Sequence, residues 1–359
     1  MKTIRLFAIV AVLIVGGLAV SLYSADVKGE DTGQVGRKSH AGDRAANYDP
    51  LSISEQFKPE LLNIDVYDKA RHCDIPIRIY FPQEKSPAPV ILFSHGLGGS
   101  RETSPYLGKH WSARGYVAVF LQHPGSDESI WKSKSAEGKK AGMQGATTGK
   151  NFMSRVKDVR VVLDQLGQWN KTAGHALAGR VNLAKVGMSG HSFGAVTTQA
   201  VSGQSFAGRG PLLTDSRIDA AIVMSPSSPN QGTPARAFGN VSLPWLLMTG
   251  TQDVAELLGG RSKNDKSPDE VMKSRLAVFP AFPPGDKYEL ILYKARHEAF
   301  TDREIFGKGS RNPNHHRIIL AISTAFWDWY LRGDTSAKNW IQGDGAKSVL
   351  EKDDTWRIK

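Results

Sequence analysis

Six short, mostly apolar strand-like segments recur along this chain, and they constrain its fold more than any other feature. They are Pro89 to Ser94 (PVILFS), Tyr116 to Gln122 (YVAVFLQ), Ala184 to Ser189 (AKVGMS), Ile218 to Met224 (IDAAIVM), Pro244 to Met248 (PWLLM) and Tyr288 to Tyr293 (YELILY). Two of them, PVILFS and YVAVFLQ, are continuous apolar runs, which suit parallel strands covered on both faces. Asp74 to Phe81 (DIPIRIYF) instead alternates Ile75, Ile77, Ile79 and Phe81 on one face, the pattern of a half-buried strand. Helix signals lie between the strands. Ser104 to Arg114 is stopped by Gly115, Phe152, Val156, Val159, Leu163 and Leu166 form a stripe facing a core, and His316 to Leu331 is long and mostly apolar. No repeat of 20 to 50 residues is present, which excludes solenoids and propellers. Alternating strands and helices predict an α/β fold, a mainly parallel sheet flanked by helices in a single domain.

Composition narrows the chemistry. The chain has 359 residues, 40% hydrophobic and 23% charged, close to the globular average. Its single cysteine, Cys73, forbids an internal disulfide and any CxxC metal site, and reads as a small core residue. The formal charge of +11 comes from scattered Lys and Arg without the basic blocks of a nucleic-acid binder, so no nucleic-acid partner is expected.

The N-terminus predicts export. Lys2 and Arg5 precede Leu6 to Val20, an unbroken stretch of 15 apolar or glycine residues, short for a membrane helix and typical of a secretory signal. Small residues at the −3 and −1 positions occur as Gly17/Ala19 and Ala19/Ser21. Residues 1–25 are therefore expected to be a signal peptide, with an uncleaved anchor over residues 6–25 as the alternative and the only route to membrane contact. The expected location is periplasmic or extracellular. Residues 26–55 are too polar to fold alone and read as a linker, leaving 56–359 as the domain.

One motif points to a reaction. Gly190-His191-Ser192-Phe193-Gly194 follows directly on a strand, and the small residues Ala195 to Val201 after it suit a helix. This is G-x-S-x-G in the strand–turn–helix context it requires, where a serine nucleophile sits on a strained turn and flanking glycines avoid collision. Upstream, Ser94-His95-Gly96-Leu97-Gly98-Gly99 ends an earlier strand in the place of an oxyanion loop, so the amides of Leu97 and Phe193 are the expected donors. His95, inside that turn, reads as structural. In such enzymes the acid and then the histidine follow the serine in sequence. Of His297, His315 and His316, only His297 follows a strand end directly; the others open a helix and suit capping or surface roles. For the acid, Ser225 to Arg236 contains no Asp or Glu, whereas Asp253 lies just beyond PWLLM. Asp253 is preferred, with Glu256 as the nearest alternative, while Glu298 adjoins the base too closely to orient it. The constellation predicts acyl transfer through Ser192, Asp253 and His297, with no cofactor and no metal.

The segments SHGLGGSRETSPYLGKHWSARGYVAVFLQHPGSDES, GMSGHSFGA, RHEAFTDRE and RNPNHHRIILAISTAFWDWYLRGD resemble the predicted dienelactone hydrolase branch of the α/β-hydrolases, close to the platelet-activating-factor acetylhydrolase type. The likeness runs from about Val66 to the C-terminus. It implies the α/β-hydrolase fold and a carboxylic-ester hydrolase acting on a small-molecule or lipid ester. Two departures stand out: Ser192 replaces the cysteine nucleophile of dienelactone hydrolases proper, and the acetylhydrolases place their acid after the strand corresponding to Ile218 to Met224. Ser126 to Lys150 reads as a surface loop or, with Trp131, a cap. Trp245 reads as core, and His123-Pro124-Gly125 carries no assigned chemistry. A polyester or polysaccharide-ester depolymerase, or a peptidase, is the alternative on the same fold, and a noncatalytic binding module is the alternative of another class.

Overall fold

The computed structural model describes residues 48–359 apart from 133–134, 136–137, 139–141, 143–144, 207–208, 256–265 and 303–311. The expected signal or anchor segment, most of the linker and Glu256 lie outside the described residues. Nine strands form one sheet: β1 (Glu60–Asp68), β2 (Cys73–Phe81), β3 (Ala88–Ser94), β4 (Val117–Leu121), β5 (Val181–His191), β6 (Ala220–Met224), β7 (Trp245–Gln252), β8 (Lys287–Arg296) and β9 (Thr355–Ile358). Their spatial order is β1-β2-β4-β3-β5-β6-β7-β8-β9. The six central strands, β4-β3-β5-β6-β7-β8, run parallel, and they correspond to the six strand-like segments of the sequence. The antiparallel hairpin β1–β2 and the short β9 close the two edges.

Alternate side chains of the central strands enter opposite layers, which is why both faces had to be apolar. On one face Ile91, Phe93, Phe120, Ile222 and Met248 pack with α1 (Pro105–Ala113) and α6 (Pro313–Arg332), chiefly through Leu107, Trp111, Ile322 and Trp327. On the other, Val90, Leu92, Val119 and Met188 meet α2 (Gly149–Lys171) and α3 (Phe193–Val201) through Val156, Val159, Leu163 and Ala200. A third cluster joins Trp245 and Leu247 of β7 to Phe238 of the short α4 (Pro234–Phe238), Phe279 and Phe282. Each such fully buried aliphatic or aromatic side chain contributes about 1.5–3 kcal/mol. Trp245 is core, as its place in a strand suggested, and its indole N–H donates to Ser202 O at 3.0 Å.

Tyr48, inside the stretch expected as linker, is packed on the body. Tyr48 Oη and Arg114 Nη2 each donate to Asp328 Oδ2 at 2.7 Å, Tyr116 Oη donates to Asp328 Oδ1 at 2.6 Å, and the His110 ring bonds Pro50 O at 3.1 Å. Two sequence expectations are corrected. Cys73 is not a core residue; it is half-buried at the rim, where β2 leaves the tight turn after Asp68. His315 is not at the surface: it is buried beneath β8, its Nε2 3.1 Å from Tyr293 O, while Asn312 caps the helix.

Candidate active site

The C-terminal ends of β3, β5, β7 and β8 gather the residues singled out in the sequence. Ser192 occupies the turn between β5 and α3 with φ 58° and ψ −115°, a left-handed conformation unusual for a residue with a Cβ. The flanking glycines make the turn possible. A Cβ on Gly194 would overlap the backbone carbonyl of Ser94, and one on Gly190 would overlap the carbonyl of Gly194. The elbow and the end of β3 are thus in backbone contact. Gly96 lies as close from the other side, since a Cβ there would stand 3.3 Å from Ser192 Cβ.

That contact sets the segments that carry the two expected oxyanion donors beside each other. Phe193 is the first residue of α3, so its N–H has no partner within the helix. In the β3 loop, Gly98 N–H donates to Ser126 O at 2.9 Å and Gly99 N–H to Gly96 O at 3.1 Å. Among the described residues no protein acceptor takes the amide of Leu97.

Asp253 and His297 meet because their strands do. Asp253 is the first residue beyond β7, and His297 the first beyond β8. The two strands touch at Gly250, where any Cβ would overlap Ala295 O, and their register shifts just past this point. Across the resulting gap His297 Nδ1 lies 2.6 Å from Asp253 Oδ1. A carboxylate only accepts, so Nδ1 carries the proton and Nε2 is left as the basic nitrogen. Thr249 Oγ1 donates to the other carboxylate oxygen at 2.8 Å. Asp253 is fully buried, which by itself would raise its pKa. The Arg275 guanidinium and the His297 bond outweigh burial and hold the carboxyl well below the usual carboxylate range.

Arg275 is the site residue that sequence reasoning missed. From α5 (Pro268–Leu276) its Nε donates to Asp253 O at 2.6 Å and its Nη1 to Ser225 O and Pro226 O at 2.8 and 3.0 Å. Its Nη2 stands 3.3 Å from both Asp253 Oδ1 and His297 Nδ1. The second approach is not a hydrogen bond, because Nδ1 donates its proton to Asp253. The guanidinium therefore ties the acid loop to the loop after β6, and its charge faces the base. Nothing in PDEVMKSRL marks this arginine, which reads as the wet side of a short polar helix.

The other histidines are placed as well. His191, buried in the elbow, has its ring centroid 4.5 Å from that of His297. His95 is buried within its turn, as expected for a structural residue, and Trp131 Nε1 donates to Gly98 O at 2.8 Å, which ties the start of the Ser126 to Lys150 segment to the oxyanion loop. A cavity of about 480 Å³ adjoins the elbow without containing Ser192 or His297. Phe193, Phe152 and Phe206 line one part of it, and Gln199, Ser227 and Gln231 another. Its size is that of a small-ligand site. Among the described residues no group of three or more His, Cys, Asp or Glu side chains is arranged to hold a metal ion, and no helix is long and apolar enough to cross a membrane.

No protein-family model matches the chain, and no curated protein matches its sequence. Solved structures do match. A ferulic acid esterase from Streptomyces cinnamoneus aligns over 79% of this chain and 92% of its own, at 18% identity and a TM-score of 0.53. At that identity the likeness speaks to architecture, and it is the architecture of the α/β-hydrolase fold.

Proposed function

We propose that the protein is an exported serine hydrolase of carboxylic esters, working through an acyl-enzyme. The single observation that carries this reading is the 2.6 Å bond from His297 Nδ1 to Asp253 Oδ1, which leaves Nε2 as a base in the neighbourhood of a strained Ser192. In the reaction, Ser192 Oγ attacks the ester carbonyl as its proton passes to His297 Nε2. The amides of Leu97 and Phe193 receive the charge on the carbonyl oxygen. Collapse of the tetrahedral intermediate expels the alcohol with the proton from His297. Water, deprotonated by the same nitrogen, then releases the acid. The esterase named among the similar structures supports an ester over an amide. The resemblance to the predicted dienelactone hydrolase and platelet-activating-factor acetylhydrolase branch supports a small or lipid-like ester. The cavity beside Phe193 is the natural seat for one part of such a substrate.

A fluorophosphonate probe tests the reading directly. It is expected to label the wild type at Ser192, and Ser192→Ala is expected to abolish both labelling and turnover of p-nitrophenyl acetate. Labelling that persists in that variant refutes the assignment. A series of esters of increasing acyl length, run beside amide and polymeric substrates, separates a small-ester hydrolase from a peptidase or depolymerase.

A further inference from the structure

A buried cation stands behind the oxyanion loop. Arg155 lies on the inward face of α2 and is fully buried, yet among the described residues every hydrogen bond of its guanidinium goes to a neutral acceptor. The carboxylates that favour its charge, Asp158 and Asp127, are engaged elsewhere: Asp158 with Arg71 and His123 at 2.6 and 2.7 Å, Asp127 with Ser129 and Gln122 at 2.6 and 2.7 Å. Leaving a buried charge without an ion-pair partner is costly. Departures of this kind concentrate where a fold serves a function.

The contacts of Arg155 lie against the oxyanion loop, the Ser126 turn bonded to it and the first residue of α3. Nη1 donates to His95 O at 2.7 Å, Nε to Ser126 Oγ at 2.8 Å, and Nη2 approaches Ser126 O and Gly96 O at 3.4 and 3.5 Å. The guanidinium carbon sits 4.3 Å from the centre of the Phe193 ring, a cation–π stack on the second donor residue. His95 completes the arrangement. Its Nε2 accepts from His123 N–H at 3.1 Å, so its Nδ1 carries the proton and donates to Gly96 O at 2.6 Å. The Gly96 carbonyl is thus held from the buried side by His95, with Arg155 close behind. In a planar trans peptide the next N–H points the opposite way, and that N–H belongs to Leu97. Hydrogen bonding to the carbonyl also polarises the amide and strengthens its N–H as a donor.

A chain of three side chains fixes the arginine in turn. His123 donates from Nδ1 to Asp158, so its Nε2 accepts from Ser94 Oγ at 2.8 Å, and the serine oxygen is left facing Arg155 Nη1 at 3.4 Å. Ser94, His123 and Asp158 are at most 1% exposed. This second serine–histidine–aspartate series has no access to substrate.

We propose that Arg155 is a positioning residue of the oxyanion hole: its unpaired buried charge, seated by Ser94, His123 and Asp158, aims and polarises the Leu97 amide and steadies Phe193. The inference rests on the ester-hydrolase reading above. Its sequence signal is faint but real, since Arg155 and Asp158 fall in phase with the apolar stripe of α2.

The test uses Arg155→Gln and Arg155→Lys in the full chain, assayed on p-nitrophenyl acetate and with a trifluoromethyl ketone that forms a tetrahedral adduct on Ser192. Arg155→Gln is expected to lower kcat by about 100-fold, the size of one lost oxyanion donor. KM is expected to stay nearly unchanged, while affinity for the ketone falls by the same factor as kcat. Arg155→Lys retains the charge and is expected to recover roughly tenfold of that loss. Fluorophosphonate labelling that still reaches completion shows that Ser192 and His297 remain competent. A folded Arg155→Gln protein with wild-type kcat, a loss confined to KM, or a lysine variant no better than glutamine overturns the proposal. If neither variant folds, Phe193→Leu at its half-buried position carries the test. Removal of the stacked ring is expected to cost at least about fivefold in kcat, and an unchanged kcat overturns the proposal. If the wild type neither takes the probe nor hydrolyses any ester, the hydrolase reading itself falls, and this inference with it.

Discussion

Replacing Asp253 by Asn probes the site most sharply, because the acid faces two cations rather than one. In the proposed mechanism, the imidazolium formed on His297 during attack is balanced by the Asp253 carboxylate, which also faces Arg275. The substitution removes that charge and leaves Arg275 Nη2 3.3 Å from His297 Nδ1 with nothing between them. At an effective dielectric near 20, two unit charges at that separation repel by about 5 kcal/mol, an upper bound because the arginine charge is delocalised and the site relaxes. We expect Asp253→Asn to reduce kcat on p-nitrophenyl acetate by about 10⁴-fold. The informative variant is the double one. In the wild-type background Arg275→Gln is expected to lower activity, because it unpins the carbonyls of Asp253, Ser225 and Pro226. In the Asp253→Asn background the same change removes an unbalanced cation, and about tenfold of the lost kcat is expected to return. The effect of Arg275 thus changes sign with the charge at position 253. Pre-steady-state release of p-nitrophenol isolates the acylation step where this charge develops. If Arg275→Gln lowers activity equally in both backgrounds, the electrostatic coupling is refuted and Arg275 acts only as a clamp.

Three further outcomes follow from packing and titration. Asp328→Ala strips a buried carboxylate from Tyr48, Tyr116 and Arg114 and is expected to destabilise the fold by about 3–5 kcal/mol, read as a lower urea midpoint. Burial pulls the pKa of His110 down to about 4 despite its bond to Pro50 O, so the fold favours the neutral ring. Its contribution is complete above about pH 6.5 and is lost as pH falls toward 4, at most about 3 kcal/mol in all; His110→Gln is expected to flatten this part of the stability curve, and an unchanged slope refutes the assignment. Gly194→Ala drives a methyl group into the Ser94 carbonyl, and the resulting shift of the elbow is expected to cost at least about 100-fold in kcat, with normal kcat as the contrary result.

What the sequence disclosed follows from burial. The six central strands were legible because both faces of each are covered, which forces runs such as PVILFS. Their ends were not. β5 reaches back through Leu183 and Asn182 to Val181, and β8 forward through Lys294 and Ala295 to Arg296, stretches in which polar residues interrupt the apolar pattern. The edge strands escaped notice because β1 (ELLNIDVYD) has one exposed face and β9 (TWRI) has four residues. In the candidate site, Ser192, Asp253 and His297 were singled out through a motif and its chain order, and the fold pairs Asp253 with His297. Arg275 and Arg155 were not singled out, since an arginine that turns inward looks in sequence like one that turns out. The one usable sign was phase: two charged residues on the apolar stripe of α2.

The contact between Gly250 and Ala295 has a consequence for how this site can be altered. Asp253 and His297 each stand within three residues of a place where two backbones touch with no side chain between them. Their separation is therefore set by main-chain geometry and depends little on the loops that follow. Segments beyond Phe300, and those after Val254 that leave Arg275 in place, can be lengthened, shortened or exchanged to reshape what the proposed hydrolase admits, while Asp253 and His297 keep their spacing. Selectivity and proton transfer are in this sense separately adjustable, and directed evolution of the chain should find many substitutions that alter substrate choice in those loops and very few acceptable ones at Gly250.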